Sequence, residues 1–122
     1  MRDTLQPGLT NQSRYTVTKD MSAPHLPRVV LSTPTMIGLI EGTCLEATRP
    51  HLDDGETTVG THVCVSHQAA AGEGVEITID CRLREIDRRR LLFDVSVDTP
   101  QGLISQGTHE RAVVSLDRMR QG

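Results

Sequence analysis

Residues 31–52 read LSTPTMIGLIEGTCLEATRPHL, and the arrangement of the rest of the chain depends on them. The stretch predicts one amphipathic helix. Ser32 or Thr33 can cap its start, and Pro34 suits the first helical position because its missing N–H is not needed there. Pro50 ends the run. The residues between the two prolines would form a rod about 24 Å long, the only long helical period in the sequence.

One face of this predicted helix carries apolar residues at the spacing of a core stripe. The stripe consists of Met36, Ile40, Thr43 and Ala47, with Leu39 beside it. Glu41 lies on the adjoining stripe among apolar neighbours, with no cation within one turn. A carboxylate in such surroundings must be paired, hydrogen-bonded or solvated. Glu41 therefore either lies at the edge of the stripe and reaches water or is turned inward for a functional purpose.

Length and composition predict a single domain over residues 1–122. The chain has no Trp, one Tyr and one Phe, so small aliphatic side chains must fill the core. A formal net charge of −3 argues against a nucleic-acid-binding protein, which normally needs a basic excess.

The three cysteines, Cys44, Cys64 and Cys81, all fall within apolar patterns. They predict buried free thiols in a reducing cytoplasm. The N-terminal residues lack the apolar core of a signal peptide, and no apolar run is long enough to cross a bilayer. We expect a cytoplasmic protein without a membrane partner, and no His, Cys and Asp spacing predicts a metal site.

The remaining segments predict one strand before the helix and four after it. Residues 1–8 predict a flexible tail, and residues 19–31 a proline-rich loop that covers a pocket mouth. The strands are expected at residues 9–18, 57–67, 75–86, 89–97 and 103–116. The second of them alternates strictly, which would place Val59 and His67 on its apolar face and Gly60 on the other.

One long helix followed by consecutive antiparallel strands can bury its apolar stripe only if the sheet curls around it. This order predicts an α+β hotdog fold, in which a five-stranded, mostly antiparallel sheet wraps one central helix. Such a sheet leaves open edges, so we expect a homodimer or a larger assembly.

Three polar residues, Thr33, Glu41 and His67, occur where their local patterns do not require them. If the helix packs on the apolar face of the second strand, Glu41 and His67 point into the same space as an acid/base pair. The structural alternatives are a helix cap for Thr33 and a satisfied strand-end histidine for His67. Thr33 and Glu41 would lie about 12 Å apart along the helix. Either Thr33 folds back before the helix, or the site combines two subunits.

Five arginines cluster around one predicted hairpin: Arg82, Arg84, Arg88, Arg89 and Arg90. They either hold the phosphates of a nucleotide-bearing substrate or form solvated ion pairs. Pairing across the hairpin with Asp94 and Asp98 is the favoured interpretation.

Three segments resemble the fluoroacetyl-CoA thioesterase branch of the hotdog thioesterases. They are residues 33–41, the run VGTHVCVSHQAA at residues 59–70, and GTHER at residues 107–111. The resemblance keeps their order and spacing over residues 30–116.

This resemblance implies a homodimeric acyl-CoA thioesterase with no cofactor beyond the CoA of its substrate. Thr33, Glu41 and His67 match the catalytic threonine, glutamate and histidine of the family. Gly60 matches a glycine near the reacting carbonyl, and His109 and Arg111 match a supporting motif on the final strand. Glu41 would act either as the nucleophile or as the base for a water.

The resemblance implies that the fluoroacetyl-specific members cover their pocket with phenylalanines in the segment before the helix, and the counterparts of these residues here are Pro24 and Pro27. The expected substrate is therefore an acyl-CoA other than fluoroacetyl-CoA. Two alternatives remain open: a non-catalytic acyl-CoA-binding module, and a hotdog hydratase acting on enoyl thioesters.

Overall fold

The computed structural model describes residues 1–122 and contains the predicted long helix, α1, at Thr33–Thr48. Ser32 has an extended backbone, and its side chain accepts a hydrogen bond from the Thr35 N–H, so Ser32 is the N-cap. The helix runs into a short 3₁₀ turn at Arg49–His51, which contains Pro50. Of the two candidate caps Ser32 is therefore the one used, and the Thr33 side chain is left free for another contact.

Five antiparallel strands wrap this helix in the order β1-β3-β4-β5-β2. Their bounds are Thr10–Thr16 for β1, Glu56–Val65 for β2, Glu76–Asp87 for β3, Arg90–Thr99 for β4 and Gly102–Ser115 for β5. A short helix that the sequence pattern had not predicted, α2, follows at Leu116–Gln121. The α+β hotdog architecture is confirmed, with β1 and β2 as the two edges of the sheet.

The core lies between α1 and the inner face of the sheet. Met36 and Ile40 of α1 are fully buried, as is Phe93 of β4. Thr43 and Ala47 are also buried, which confirms the predicted stripe. No helix in this fold is long and apolar enough to cross a membrane.

The second strand departs from the strict alternation expected for it. The β2–β5 register shifts between Gly60 and His62, which leaves Thr61 as an extra, bulged residue. The bulge changes the parity of the strand. Thr58 and Gly60, which precede the bulge, face the helix, and so do Val63 and Val65, which follow it. The expectation that Gly60 lies on the face away from the helix is therefore wrong, because a Cβ at Gly60 would meet Glu41 of α1.

Residues 1–8, expected to form a flexible tail, instead pack against the body of the protein. Leu5 is buried in the core, and the Gly8 N–H donates a hydrogen bond to the Leu83 carbonyl. Polar flanking residues hid this contact in the sequence, because a single apolar side chain shows no periodicity. The loop at residues 19–31 contains a 3₁₀ turn and is tied to Gly72 through Val30.

The cysteines are all free, but they do not share one environment. Cys44 and Cys81 are buried as predicted, whereas Cys64 is exposed on β2. The prediction of three buried thiols is wrong for Cys64 because the bulge turns this residue to the outer face. Hydrogen bonding to Cys81 and burial raise the pKa of the Cys44 thiol.

Candidate active site

The first cluster of candidate residues joins the start of α1 to the end of β2. The Thr33 hydroxyl lies 2.7 Å from Nδ1 of His67, within hydrogen-bonding distance. Thr33 is available for this contact because Ser32 caps the helix. We call these two residues the Thr33–His67 pair.

An open cavity of about 310 Å³ lies beside this pair. Its lining residues are Val30, His67, Gln68, Ala69 and Ala70. Val30 belongs to the loop expected to cover a pocket mouth, and the remaining residues follow β2. The cavity therefore places small apolar side chains next to the His67 imidazole.

The second cluster surrounds Glu41, further along α1. Its Oε1 atom lies 4.0 Å from Nε2 of His109 and 4.0 Å from Nη1 of Arg111. The Glu41 side chain is 40% exposed, whereas the His109 side chain is fully buried and that of Arg111 is 6% exposed. Glu41 thus lies at the edge of the stripe, and the cation absent from its own helix comes from β5.

Three hydrogen bonds fix the Arg111 guanidinium in this second cluster. Its Nε donates to Thr58 Oγ1 at 2.8 Å, and its Nη2 donates to the Thr58 carbonyl at 2.9 Å. Its Nη1 lies 3.1 Å from Nε2 of His109, whose Nδ1 lies 2.7 Å from the His62 carbonyl. Because a carbonyl only accepts, Nδ1 of His109 carries the hydrogen and Nε2 accepts from Arg111. We call Thr58, His109 and Arg111 the arginine clamp.

Burial determines the charges in the arginine clamp. It lowers the pKa of His109, although the hydrogen bond to the His62 carbonyl opposes this shift. Burial also lowers the pKa of Arg111, and the Glu41 carboxylate opposes that shift. The clamp therefore pairs a neutral imidazole with a guanidinium, and the guanidinium supplies the positive charge that faces Glu41.

Gly60 forms the floor under the Glu41 carboxylate. A Cβ at this position would overlap Oε1 of Glu41 and would lie 3.3 Å from Cε1 of His109 and 3.5 Å from Nη1 of Arg111. A glycine is therefore what allows the carboxylate to approach β2 this closely.

The structure brings the predicted residues together in two groups rather than one. Glu41, Gly60, His109 and Arg111 lie together, and Thr33 pairs with His67. Within one chain, neither a hydrogen bond nor an ion pair joins the two groups. Thr33 and Glu41 remain about 12 Å apart along an unbroken helix.

The arginines of the β3–β4 hairpin mostly pair with carboxylates. Arg84 pairs with Asp94, as expected, whereas the expected pairing of an arginine with Asp98 does not occur. Arg89 lies 3.3 Å from a carboxylate oxygen of Glu56, and Arg90 lies 2.9 Å from one of Glu110. These ion pairs support the solvated-hairpin interpretation.

The family model for the fluoroacetyl-CoA-specific thioesterase matches residues 12–117 of this chain. The chain belongs to this family. The fluoroacetyl-CoA thioesterase of Streptantibioticus cattleyicolor is 42% identical over 89 residues, a match that covers 73% of this chain. The match spans 64% of the length of that relative.

Solved structures agree with this family membership. A structure of the fluoroacetyl-CoA thioesterase FlK superposes with a TM-score of 0.91 at 32% identity, covering 98% of this chain and 95% of that one. A thioesterase superfamily member from Thermus thermophilus superposes with a TM-score of 0.89 at 21% identity, covering 98% and 90% of the two chains. The latter similarity concerns the fold alone.

Thr58 is the residue of this family member's site that sequence reasoning missed. Uniform alternation placed it on the solvent face together with Gly60. Its one signal in the sequence is a hydroxyl side chain two residues before Gly60, and serines and threonines are too common in strands for that to be decisive.

Proposed function

We propose that this protein is an acyl-CoA thioesterase, which hydrolyses a thioester to a carboxylic acid and free CoA. The observation that carries the proposal is the Glu41 carboxylate, held over Gly60 and facing the Arg111 guanidinium. A half-exposed carboxylate in this position can attack an acyl carbon or activate a water for that attack. Family membership supports the same reaction class.

In the proposed mechanism, Glu41 either adds to the thioester carbonyl and forms a transient anhydride, which water then hydrolyses to the carboxylic acid and free Glu41, or deprotonates a water that attacks the carbonyl. In both routes the carbon–sulfur bond breaks, and His67 delivers a proton to the leaving CoA thiolate. Thr33 donates a hydrogen bond that orients the carbonyl or the carboxylate. The backbone N–H near Gly60 stabilises the developing oxyanion. The proposed reaction needs water but no cofactor beyond the CoA portion of the substrate.

The proposed active unit is a homodimer formed through the free edge of β2. As an edge strand, β2 has one side without a partner strand in the sheet, and such edges readily pair with a second copy. The separation of the two groups along α1 supports this arrangement. In the proposed dimer, Glu41 of one subunit faces the Thr33–His67 pair of the partner, so the reacting carbonyl lies between subunits.

We propose a substrate other than fluoroacetyl-CoA. The loop at residues 19–31 carries Pro24 and Pro27 where the resemblance implies aromatic lid residues. Its exposed apolar side chain, Leu26, lies between them. An aliphatic loop supports a bulkier or less strictly selected acyl group.

The cytoplasm is the proposed compartment. All three cysteines are free, which is usual for proteins in a reducing environment.

A panel of acyl-CoA thioesters of varied chain length and polarity tests the activity through release of free thiol. We expect hydrolysis of at least one member of the panel. Glu41→Gln and His67→Ala should each lower kcat/KM by about 100-fold or more, because each removes a group that moves a proton or attacks the carbonyl. Glu46→Gln is the matched control, since Glu46 lies on the same helix, is exposed and pairs only with Arg49.

Full activity in both site variants would contradict the assignment. A raised melting temperature with intact acyl-CoA, without any free CoA, would instead indicate a non-catalytic binding module.

A further inference from the structure

We propose that Thr58 is a positioning residue, which holds the Arg111 guanidinium in the orientation that faces Glu41. The inference rests on the proposed thioesterase function, in which Glu41 reacts. It concerns a residue outside the Thr33, Glu41 and His67 set.

Thr58 grips the guanidinium at two points. Its hydroxyl accepts from Nε of Arg111 at 2.8 Å, and its own carbonyl accepts from Nη2 at 2.9 Å. Two acceptors on one residue fix the plane of the guanidinium as well as its position. Nη1 is the nitrogen left towards the site, and it lies 4.0 Å from Oε1 of Glu41.

Both hydrogen bonds between Thr58 and Arg111 are buried, which restricts the movement of the guanidinium. As whole residues, Thr58 is 4% exposed and Arg111 is 5% exposed, so water cannot readily replace the Thr58 hydroxyl as an acceptor. If the hydroxyl is removed, the buried Nε–H loses its partner, and the guanidinium must shift to find another. Such a shift changes the distance between the positive charge and Glu41.

The regular register of β2 against β5 up to Gly60 makes this contact possible. Gly60 lies opposite Arg111 in the β2–β5 register, and Thr58 lies opposite Val113. Thr58 is therefore the diagonal neighbour of Arg111 on the inner face, which suits a long side chain that runs along the strand. The Thr61 bulge lies beyond this pair and does not interrupt the contact.

Thr58→Val tests the role of the hydroxyl, because valine keeps the shape of threonine and lacks the acceptor. We expect kcat to fall about tenfold while KM stays within about twofold, because the change affects the orientation of a reacting group rather than substrate binding. Thr58→Ser, which keeps the acceptor, should restore kcat to within about twofold of the wild-type value. Thr57→Val is the matched control, since Thr57 is the neighbouring threonine on the other face of β2.

An NMR measurement on the same proteins does not require turnover. In the wild type and in Thr58→Ser, the Arg111 Nε–H should give a slowly exchanging signal, and in Thr58→Val this protection should be lost. If Thr58→Val does not fold, Thr58→Ala removes the same acceptor from a smaller side chain and carries the same expectations.

Retained protection in the variant without the hydroxyl would overturn the inference, and so would an unchanged kcat after protection is lost. If the wild type hydrolyses no thioester in the panel, the proposed function fails, and the NMR comparison alone decides whether Thr58 holds Arg111.

Discussion

Glu41 shows how a single side chain gains its surroundings from distant parts of the chain. On its own helix it has apolar neighbours, which left open whether it faced water or the interior. In the structure the Glu41 carboxylate is half-exposed to water and also faces the Arg111 guanidinium of β5. A cation seventy residues away in sequence satisfies the carboxylate that the helix leaves unpaired.

Gly60→Ala tests the close approach of this carboxylate to β2. The new methyl would occupy the position of Oε1 of Glu41, and a flexible side chain can move away from it. We expect the free energy of unfolding to change by less than about 1 kcal/mol, while kcat/KM falls at least about tenfold because the carboxylate leaves its reactive position.

Chemical denaturation and thioester hydrolysis would measure these two quantities separately. Gly38→Ala is the control, because a Cβ there meets nothing within 4 Å. Unchanged activity in Gly60→Ala would show that the position of the carboxylate over Gly60 is not important for the reaction.

At the level of elements, the start of α1 separates a structural role from a proposed catalytic one. Ser32 accepts from the Thr35 N–H as the helix cap, while the Thr33 hydroxyl contacts His67. Sequence alone allowed either residue to be the cap, because both have the short hydroxyl side chain that caps require.

Substitution of Ser32 should affect stability, and substitution of Thr33 should affect activity. Ser32→Ala should lower the free energy of unfolding by about 1 kcal/mol, because the cap bond is lost. Thr33→Ala should change stability by less than about 0.5 kcal/mol because its side chain is exposed, and it should lower kcat. Thermal unfolding and kinetics on both variants provide the test, and a stability loss in Thr33→Ala as large as that in Ser32→Ala would contradict it.

The bulge in β2 is the second element that shapes the candidate site. In a regular strand, residues three positions apart lie on opposite faces, so Gly60 and Val63, which lies opposite the buried His109, could not both face the helix. One extra residue, Thr61, changes the parity between them. The strict alternation of side chains in the sequence concealed the bulge, since polar and apolar residues alternate on both sides of it.

At the level of the whole molecule, the separation of the two groups along α1 predicts that subunits share active sites. Glu41→Gln and His67→Ala proteins, each inactive alone, can be unfolded together in equal amounts and refolded. In a mixed dimer one site then contains both substitutions and the other contains neither. We expect recovery of about a quarter of the wild-type activity from random pairing of subunits.

Size-exclusion chromatography with differently tagged subunits would verify that mixed dimers form. Mixed dimers without recovered activity would show that each chain contains its own complete site. Refolded samples of each single variant serve as the controls.

Much of this protein follows from local pattern. The limits of α1, the five strands, the hotdog wrapping and the positions of Thr33, Glu41 and His67 on those elements all depend on spacing between near neighbours in the chain. Side-chain periodicity and capping residues determine such features before any distant contact forms.

Contacts between distant segments determined the rest. The Thr61 bulge, the grip of Thr58 on Arg111, the exposure of Cys64 and the packing of Leu5 all depend on the alignment of one segment against another. That alignment minimises the free energy of the assembled sheet and helix together. The pattern of apolar residues along one strand does not show which residues of the neighbouring strand lie opposite it. The site's charge distribution therefore arises only when β2, β5 and α1 are packed together.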